Sequence, residues 1–348
     1  MIEQLRFRHY ALPLHRVWDS ACGGFDRRLG WLIQVSADGL HGFGDCAPLP
    51  AAGTETSERA WDMLCQARAM AASQSAATLL ESLDQAFAAA PATRFALECA
   101  LLDLASRRQG LALRHRLART ARDAVPVNAM LGPLGRLTPA DLQAACDAGF
   151  KVLKIKLGLN DPTTELKRLG ELARQLPPGI GLRLDANGAW EFDTARVLID
   201  GLAGLPIESL EEPLRQPAPA PLAALQARAL FPLARDESLH RLGVDFDLTA
   251  LGVRRIVLKP AVIGGLERAL AIAARARAAG IEVVVTSLVE SAAGLWPTAQ
   301  LAAAIDSAIP HGLATADWLA ADLGPAPRPC RGQIELPRTA GSGFNPFP

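Results

Sequence analysis

Five charged clusters recur between Val152 and Lys259. They hold Lys154 and Lys156; Arg183, Asp185 and Asn187; Glu211 and Glu212; Asp236, Glu237 and Ser238; and Lys259 before Pro260. Asp185, Glu211 and Asp236 offer three carboxylates, and no cysteine or histidine lies inside the clusters. An all-oxygen set of this kind suits a hard cation, Mg2+ or Mn2+, with water and substrate completing an octahedron. Three anions gathered without a cation would repel one another strongly, so the sequence predicts a divalent metal site. Lys156 and Lys259 flank those acids in the chain. A lysine acts as a base only when neutral, and its ordinary pKa is about 10.4. Lowering it to about 8 leaves roughly a tenth neutral at pH 7 and costs about 3 kcal/mol. A second ammonium about 7 Å away supplies roughly 2 kcal/mol at an effective dielectric of 20, and a metal ion supplies more. This set suits removal of a proton α to a carboxylate, with a cation offsetting the enediolate charge.

The elements that position these groups follow from the spacing. Lys156, Asp185, Glu211, Asp236 and Lys259 are 29, 26, 25 and 23 residues apart. A βαβ unit takes about 30 residues, so each cluster falls at the carboxyl end of a successive strand. In a (β/α)8 barrel those ends converge on one mouth, where the active sites of this fold lie. Residues two apart on a strand point to one side, so Lys154 joins Lys156 and Arg183 joins Asp185 on an inward ladder. Buried charges are rare unless paired or used, so this ladder predicts a site.

Strand and helix signals alternate strictly from residue 125, which implies a parallel sheet. Strands are expected at 152–157, 181–185, 209–211, 233–234, 255–259 and 282–286, with a weak eighth at 311–313. Helices are expected at 139–148, 162–175, 193–203, 221–230, 240–248, 265–279 and 294–304. The first ~120 residues read as α+β. Residues 29–36 form a strand and 42–50 a loop, because two prolines and an aspartate end any strand there. Residues 56–90 are helical with Ser57 as cap, and 93–108 form an amphipathic helix. The expected fold is therefore α/β: a (β/α) barrel, a modified TIM barrel, with an α+β capping domain. The domains run 1–122 for the cap, 123–318 for the barrel, and 319–348 for a tail. In that tail, strand-like 333–336 returns to the first domain.

The 348 residues include 36 basic and 36 acidic side chains. A formal net charge of zero gives no support to nucleic-acid or anionic-membrane binding. Six widely spaced cysteines without a Cys-x-x-Cys pair read as reduced thiols. No signal pattern opens the chain and no apolar run is long enough to span a bilayer. A cytoplasmic enzyme acting on a small-molecule carboxylate is expected, with the oligomeric state left open.

In this order, the clusters resemble the muconate-lactonising branch of the enolase superfamily, and within it the o-succinylbenzoate synthase family. The resemblance covers most of the chain. It implies Asp185, Glu211 and Asp236 as metal ligands and Lys156 and Lys259 as catalytic lysines. Of Glu211 and Glu212 it selects the first, which spacing alone does not. Enolase-superfamily sites join a lysine base to Mg2+ in this way. The resemblance implies a carbon–oxygen lyase. It would dehydrate 2-succinyl-6-hydroxy-2,4-cyclohexadiene-1-carboxylate to o-succinylbenzoate, a step of menaquinone or phylloquinone synthesis. Residues 183–190 are similar to the family's strand with arginine two before the first ligand. Residues 286–291 are similar to its serine-rich loop, implying substrate contacts from Ser287, Glu290 and Ser291. Residues 42–50 with 53–56 are similar to the loop closing over the site, implying Gly53 and Thr54. Lys154, Arg183 and Asn187 complete the expected substrate contacts.

There are departures. Ala52 and Gly53 stand where the family loop often has a large apolar residue. Residues 312–317 lack the Asp-x-Asp pair of dipeptide epimerases, which argues against that activity. The alternative is an N-acylamino acid racemase of the same superfamily, with a lysine on each face. A barrel that only binds a metal would not need both lysines, and a Schiff-base aldolase would not need three acids.

Overall fold

A computed structural model of the chain describes residues 1–20, 23–243 and 245–347. Three antiparallel strands open the chain: β1 (Gln4–Ser20), β2 (Gly23–Ala37) and β3 (Leu40–Cys46). Asp38 and Gly39 turn between β2 and β3 with φ of 53° and 72°, the left-handed pair that suits a two-residue hairpin. Residues 42–46, expected in a loop, belong to β3. Gly42 and Gly44 are there for close packing rather than turning. A Cβ on either would overlap a helix carbonyl, of Ala100 and Ala96 respectively. Asp45 does not break the strand, because its carboxylate is buried and fully engaged, as described below. The loop begins only at Ala47.

Helices α1 (Ser57–Ala71), α2 (Ala76–Ala86) and α3 (Pro91–Arg108) follow. The single helix expected over 56–90 is two. Ser75 starts the second by accepting from Thr78 N, and Thr56 rather than Ser57 caps the first, accepting from Arg59 N. α3 is buried almost all round rather than amphipathic. Ala96, Leu97, Ala100, Leu101 and Leu104 join the core under the three-stranded sheet. Phe95, Cys99 and Leu102 join the barrel core. Its buried charges are paired: Arg94 with Glu98 at 2.6 Å, and Asp103 with Phe43 N and Ser342 N. One helix thus locks both units together.

After α4 (Leu113–Leu117) come β4 (Ala124–Pro126) and β5 (Ala129–Pro133). The repeat then runs α5 (Pro139–Asp147), β6 (Val152–Lys156), α6 (Pro162–Ala173), β7 (Gly181–Asp185), α7 (Phe192–Gly201) and β8 (Ile207–Glu211). It continues with α8 (Pro219–Arg228), β9 (Leu233–Arg235), α9 (Glu237–His240), β10 (Arg255–Leu258), α10 (Pro260–Ile263), α11 (Leu266–Ala278), β11 (Glu282–Val285) and α12 (Ala292–Ile305). The seven strands from β5 to β11 pair in parallel, in chain order. Single bridges from His311 to Val127 and from Gly312 to Thr286 join the two edges where the eighth strand was expected. The fold is a (β/α) barrel with an α+β cap.

In the barrel and the tail two further expectations fail. The helix over 240–248 is absent among the described residues: α9 stops at His240, and Gly243 takes φ 78°. The turn at Leu248–Ala250 is separate and capped by Asp247. β12 (Gln333–Glu335) pairs with β4, not with the first unit. The chain reaches α3 a few residues later, through Ser342 N on Asp103 and the Phe344 carbonyl on Arg107. Cys46, Cys65, Cys99, Cys146 and Cys330 are free thiols, and Cys22 lies outside the described residues. No helix among the described residues is long and apolar enough to cross a membrane.

Candidate active site

Strand register builds the site. Lys156 lies opposite Asp185 and Asp185 opposite Glu211, so three neighbouring strands deliver their charges at one level. β9 ends one residue before Asp236. Asp185, Glu211 and Asp236 are all buried, and one ligand atom from each lies within 4.8 Å of the others. Glu212 faces away from this cluster. Its Oε1 accepts from Asp236 N, Ser238 N and Ser238 Oγ, which fixes the loop carrying Asp236. The backbone turns left-handed just past the strands, at Asn187 (φ 45°), Glu212 (φ 41°) and Val289 (φ 60°). Such conformations cost about 1–3 kcal/mol each and cluster where a site over-determines them.

Two lysines neutralise the acids. Lys154 Nζ lies 2.9 Å from Asp185 and 2.5 Å from Glu211. Lys259 Nζ lies 2.5 Å from Asp236 and 3.9 Å from Glu237. Burial pushes both ammonium groups down, but the facing carboxylates outweigh it and hold both above the ordinary lysine range. Lys156 differs. Burial lowers it, Lys154 and Lys259 lower it further, and Asp185 only partly opposes them. Its Nζ stands 5.4 Å from the Trp18 ring centroid. Burial and Glu237 push Asp236 well above the carboxylate range, with Lys259 opposing. Burial also opposes ionisation of Asp185, but Lys154 wins and holds it low.

The residues fit a divalent cation. Glu211 Oε1 is buried without a hydrogen bond among the described residues, with Arg183 Nε 3.8 Å away, and Asp236 Oδ1 meets only the Lys259 ammonium at hydrogen-bond distance. Buried oxygens left without a hydrogen bond are rare and costly. Three hard oxygen donors suit Mg2+ or Mn2+.

A cavity of about 170 Å3 opens over these groups, lined by Lys154, Lys156, Asp185, Asn187, Asp236 and Lys259 on its polar side. Ser287 lines it as well, its hydroxyl 2.7 Å from that of Thr315. Five expected substrate contacts do not reach it. Arg183 is wholly buried beneath the acids, donating to Glu208, Asn128 Oδ1 and the Pro310 carbonyl. Ser291 precedes α12 but makes no side-chain cap to it; its N and Oγ both donate at 2.8 Å to one oxygen of Asp45, whose other oxygen accepts from Tyr10. Glu290 accepts from Leu288 N. Thr54 Oγ1 accepts from Leu49 N, and Gly53 turns at φ 100° against Val262. These residues shape the loops that Leu49, Ala51, Ala52 and Leu288 present to the cavity. Sequence reasoning missed Trp18 and Phe25, which come from β1 and β2. Neither sits in a charged motif, and nothing local marks them.

Burial raises Glu290 from the ordinary carboxylate range to about 7. The protonated form is therefore favoured in the folded chain. This stability is full below about pH 4.5 and is lost as pH rises through about 7. Glu290→Gln is expected to gain about 2–3 kcal/mol on the wild type between pH 5 and pH 8. Urea unfolding of both proteins at the two pH values measures it, and parallel curves would refute it.

Residues 138–347 match the family described as Enolase C-terminal domain-like, and residues 4–104 match the MenC N-terminal domain. The o-succinylbenzoate synthase of Desulfotalea psychrophila is 33% identical over 231 residues, 65% of this chain and 62% of that protein. That of Yersinia pseudotuberculosis serotype O:3 is 31% identical over 308 residues, 85% of each chain. The solved structure of a dipeptide epimerase from Methylococcus capsulatus, complexed with Mg ion, superposes with a TM-score of 0.85 at 27% identity, covering 98% of each chain. These matches span both the cap and the barrel that build the cavity. The chain is an enzyme of the enolase superfamily and belongs, within it, to the o-succinylbenzoate synthase family.

Proposed function

We propose that this enzyme dehydrates 2-succinyl-6-hydroxy-2,4-cyclohexadiene-1-carboxylate to o-succinylbenzoate, with Mg2+ as its metal and Mn2+ as a substitute. One observation carries the reading. A lysine with a lowered pKa, Lys156, and a lysine held charged, Lys259, share one cavity over three buried carboxylates. Asp185, Glu211 and Asp236 would hold the cation, which when bound supplies positive charge against the substrate carboxylate and the charge growing on it. Lys156 takes the proton from the carbon α to that carboxylate. The electron pair left behind moves into the ring system, and the C–O bond to the hydroxyl breaks. Lys156 returns its proton to the departing hydroxide, so water leaves and the ring becomes aromatic. Proton and hydroxyl can leave from one ring face, so one base suffices. Lys259 keeps its charge and stabilises the enediolate electrostatically. Trp18, Phe25 and Leu288 line the cavity with apolar surface, which strengthens these interactions by excluding water.

The o-succinylbenzoate synthases that this chain resembles support this reading. The test is turnover of the cyclohexadiene substrate beside N-succinylamino acids, with and without Mg2+. Mg2+-dependent dehydration is expected. Faster racemisation of N-succinylamino acids would overturn the reading in favour of the racemase.

A further inference from the structure

A buried carboxylate of the cap, which the proposed chemistry does not use, reaches across to the barrel. Asp45 lies next to the end of β3 and is buried. Its Oδ2 accepts from Ser291 N and Ser291 Oγ, both at 2.8 Å, and its Oδ1 accepts from the hydroxyl of Tyr10 on β1. Gly294, in the first turn of α12, makes room for it. A Cβ there would stand 3.1 Å from Asp45 Cβ, 3.2 Å from its Oδ2 and 2.8 Å from Glu290 Cβ. The chain beside each end of this contact lines the cavity: Leu49, Ala51 and Ala52 from the cap, and Ser287, Leu288 and Val289 from the barrel. The cap loop is fixed at its root, because Arg28 donates to the Ala47 carbonyl at 2.6 Å. In the barrel loop Val289 is left-handed at φ 60°. A β-branched residue keeps that conformation only where its surroundings impose it.

We propose that Asp45 is a positioning residue: it latches the cap to the barrel through Ser291 and so sets the spacing of the two loops that line the cavity. Lys156, Lys259 and the three carboxylates stand at the ends of other strands, so the latch governs how substrate is held and not the proton transfer. The inference rests on the proposed reaction only for the identity of that substrate. The latch needs an acceptor toward Ser291 and a partner for the Tyr10 hydroxyl, which an amide also supplies. Asp45→Asn can turn its carbonyl oxygen to Ser291 and its Nδ2 to the tyrosine oxygen. Asp45→Ala takes this partner from three buried donors.

The test is amide hydrogen exchange over residues 286–291 in the Mg2+-loaded full chain, beside steady-state kcat and KM. Wild type, Asp45→Ala, Asp45→Asn and Ser291→Ala are compared. Asp45→Ala is expected to speed exchange of this segment at least about tenfold and to raise KM about tenfold, with kcat within about threefold. Ser291→Ala removes one of the two bonds and should show about half that effect on a logarithmic scale, roughly threefold. Asp45→Asn should recover most of both losses. Should Asp45→Ala not fold, Ser291→Ala and Asp45→Asn carry the same comparison. Unchanged exchange in Ser291→Ala would overturn the latch, as would equal damage from Asp45→Asn and Asp45→Ala. A fall in kcat with KM held, or faster exchange with both constants held, would overturn the positioning role. If exchange rises as expected but the wild type does not dehydrate the cyclohexadiene, the latch stands and the proposed reaction alone fails.

Discussion

Lys156→Arg is expected to lose at least about 10^3-fold in dehydration rate, within the usual contribution of a positioned base. Arginine keeps the positive charge but stays protonated near neutral pH, so the variant removes the base and leaves the charge. Lys156 is suited to the role by its surroundings. Its burial and the ammonium groups of Lys154 and Lys259 all favour the neutral amine. Lys259 is not suited to it, because Asp236 and Glu237 favour its charged form. Lys259→Arg should therefore also lose turnover, for a different reason: the larger guanidinium cannot reproduce a compact charge at that point. Hydrogen exchange separates the two. In D2O, an unreactive analogue bearing an α-proton should exchange it with Lys259→Arg and not with Lys156→Arg. The opposite pattern would reverse the roles. Exchange with inversion that needs both lysines, and is fast on N-succinylamino acids, would favour the racemase.

The sequence made the barrel legible because its strands end in charges at a near-constant spacing. The register of β6, β7 and β8 then followed from alternation, and with it the meeting of Lys156, Asp185 and Glu211. Alternation could not say how deep each inward residue sits. Arg183 and Asp185 point the same way, yet Arg183 lies one layer below and is consumed by Glu208, Asn128 and Pro310. The cap was harder to read. Glycine and aspartate in β3 look like turn residues, and only the approach of α3 and the partners of Asp45 keep them extended. Trp18 comes from a strand more than 100 residues before Lys156, the lysine it faces. Long-range packing of that kind leaves no local pattern.

Stripping the divalent cation is expected to reduce turnover by at least about 10^3-fold, since a bound metal supplies several kcal/mol of charge stabilisation. Added Mg2+ should restore the wild type. Glu211→Gln should stay inactive, because Glu211 brings both its charge and a buried oxygen without a hydrogen bond to the cluster. Loss of activity alone would not separate a missing cation from a damaged fold. Removing Glu211 also leaves Lys154 with one fewer partner, and breaking a buried pair costs about 3–5 kcal/mol. Thermal unfolding supplies the second readout. A ligand that binds only the folded chain stabilises it by about 2.7 kcal/mol at a hundred times its Kd. The wild type should therefore melt higher as Mg2+ is added. Glu211→Gln should melt lower throughout and respond to Mg2+ only at much higher concentration, as should Asp185→Asn and Asp236→Asn. A wild type that kept full activity after EDTA and showed no Mg2+-dependent rise in Tm would remove the metal from the site. The three carboxylates would then rest on Lys154, Lys259 and Arg183 as counter-charges within 4 Å.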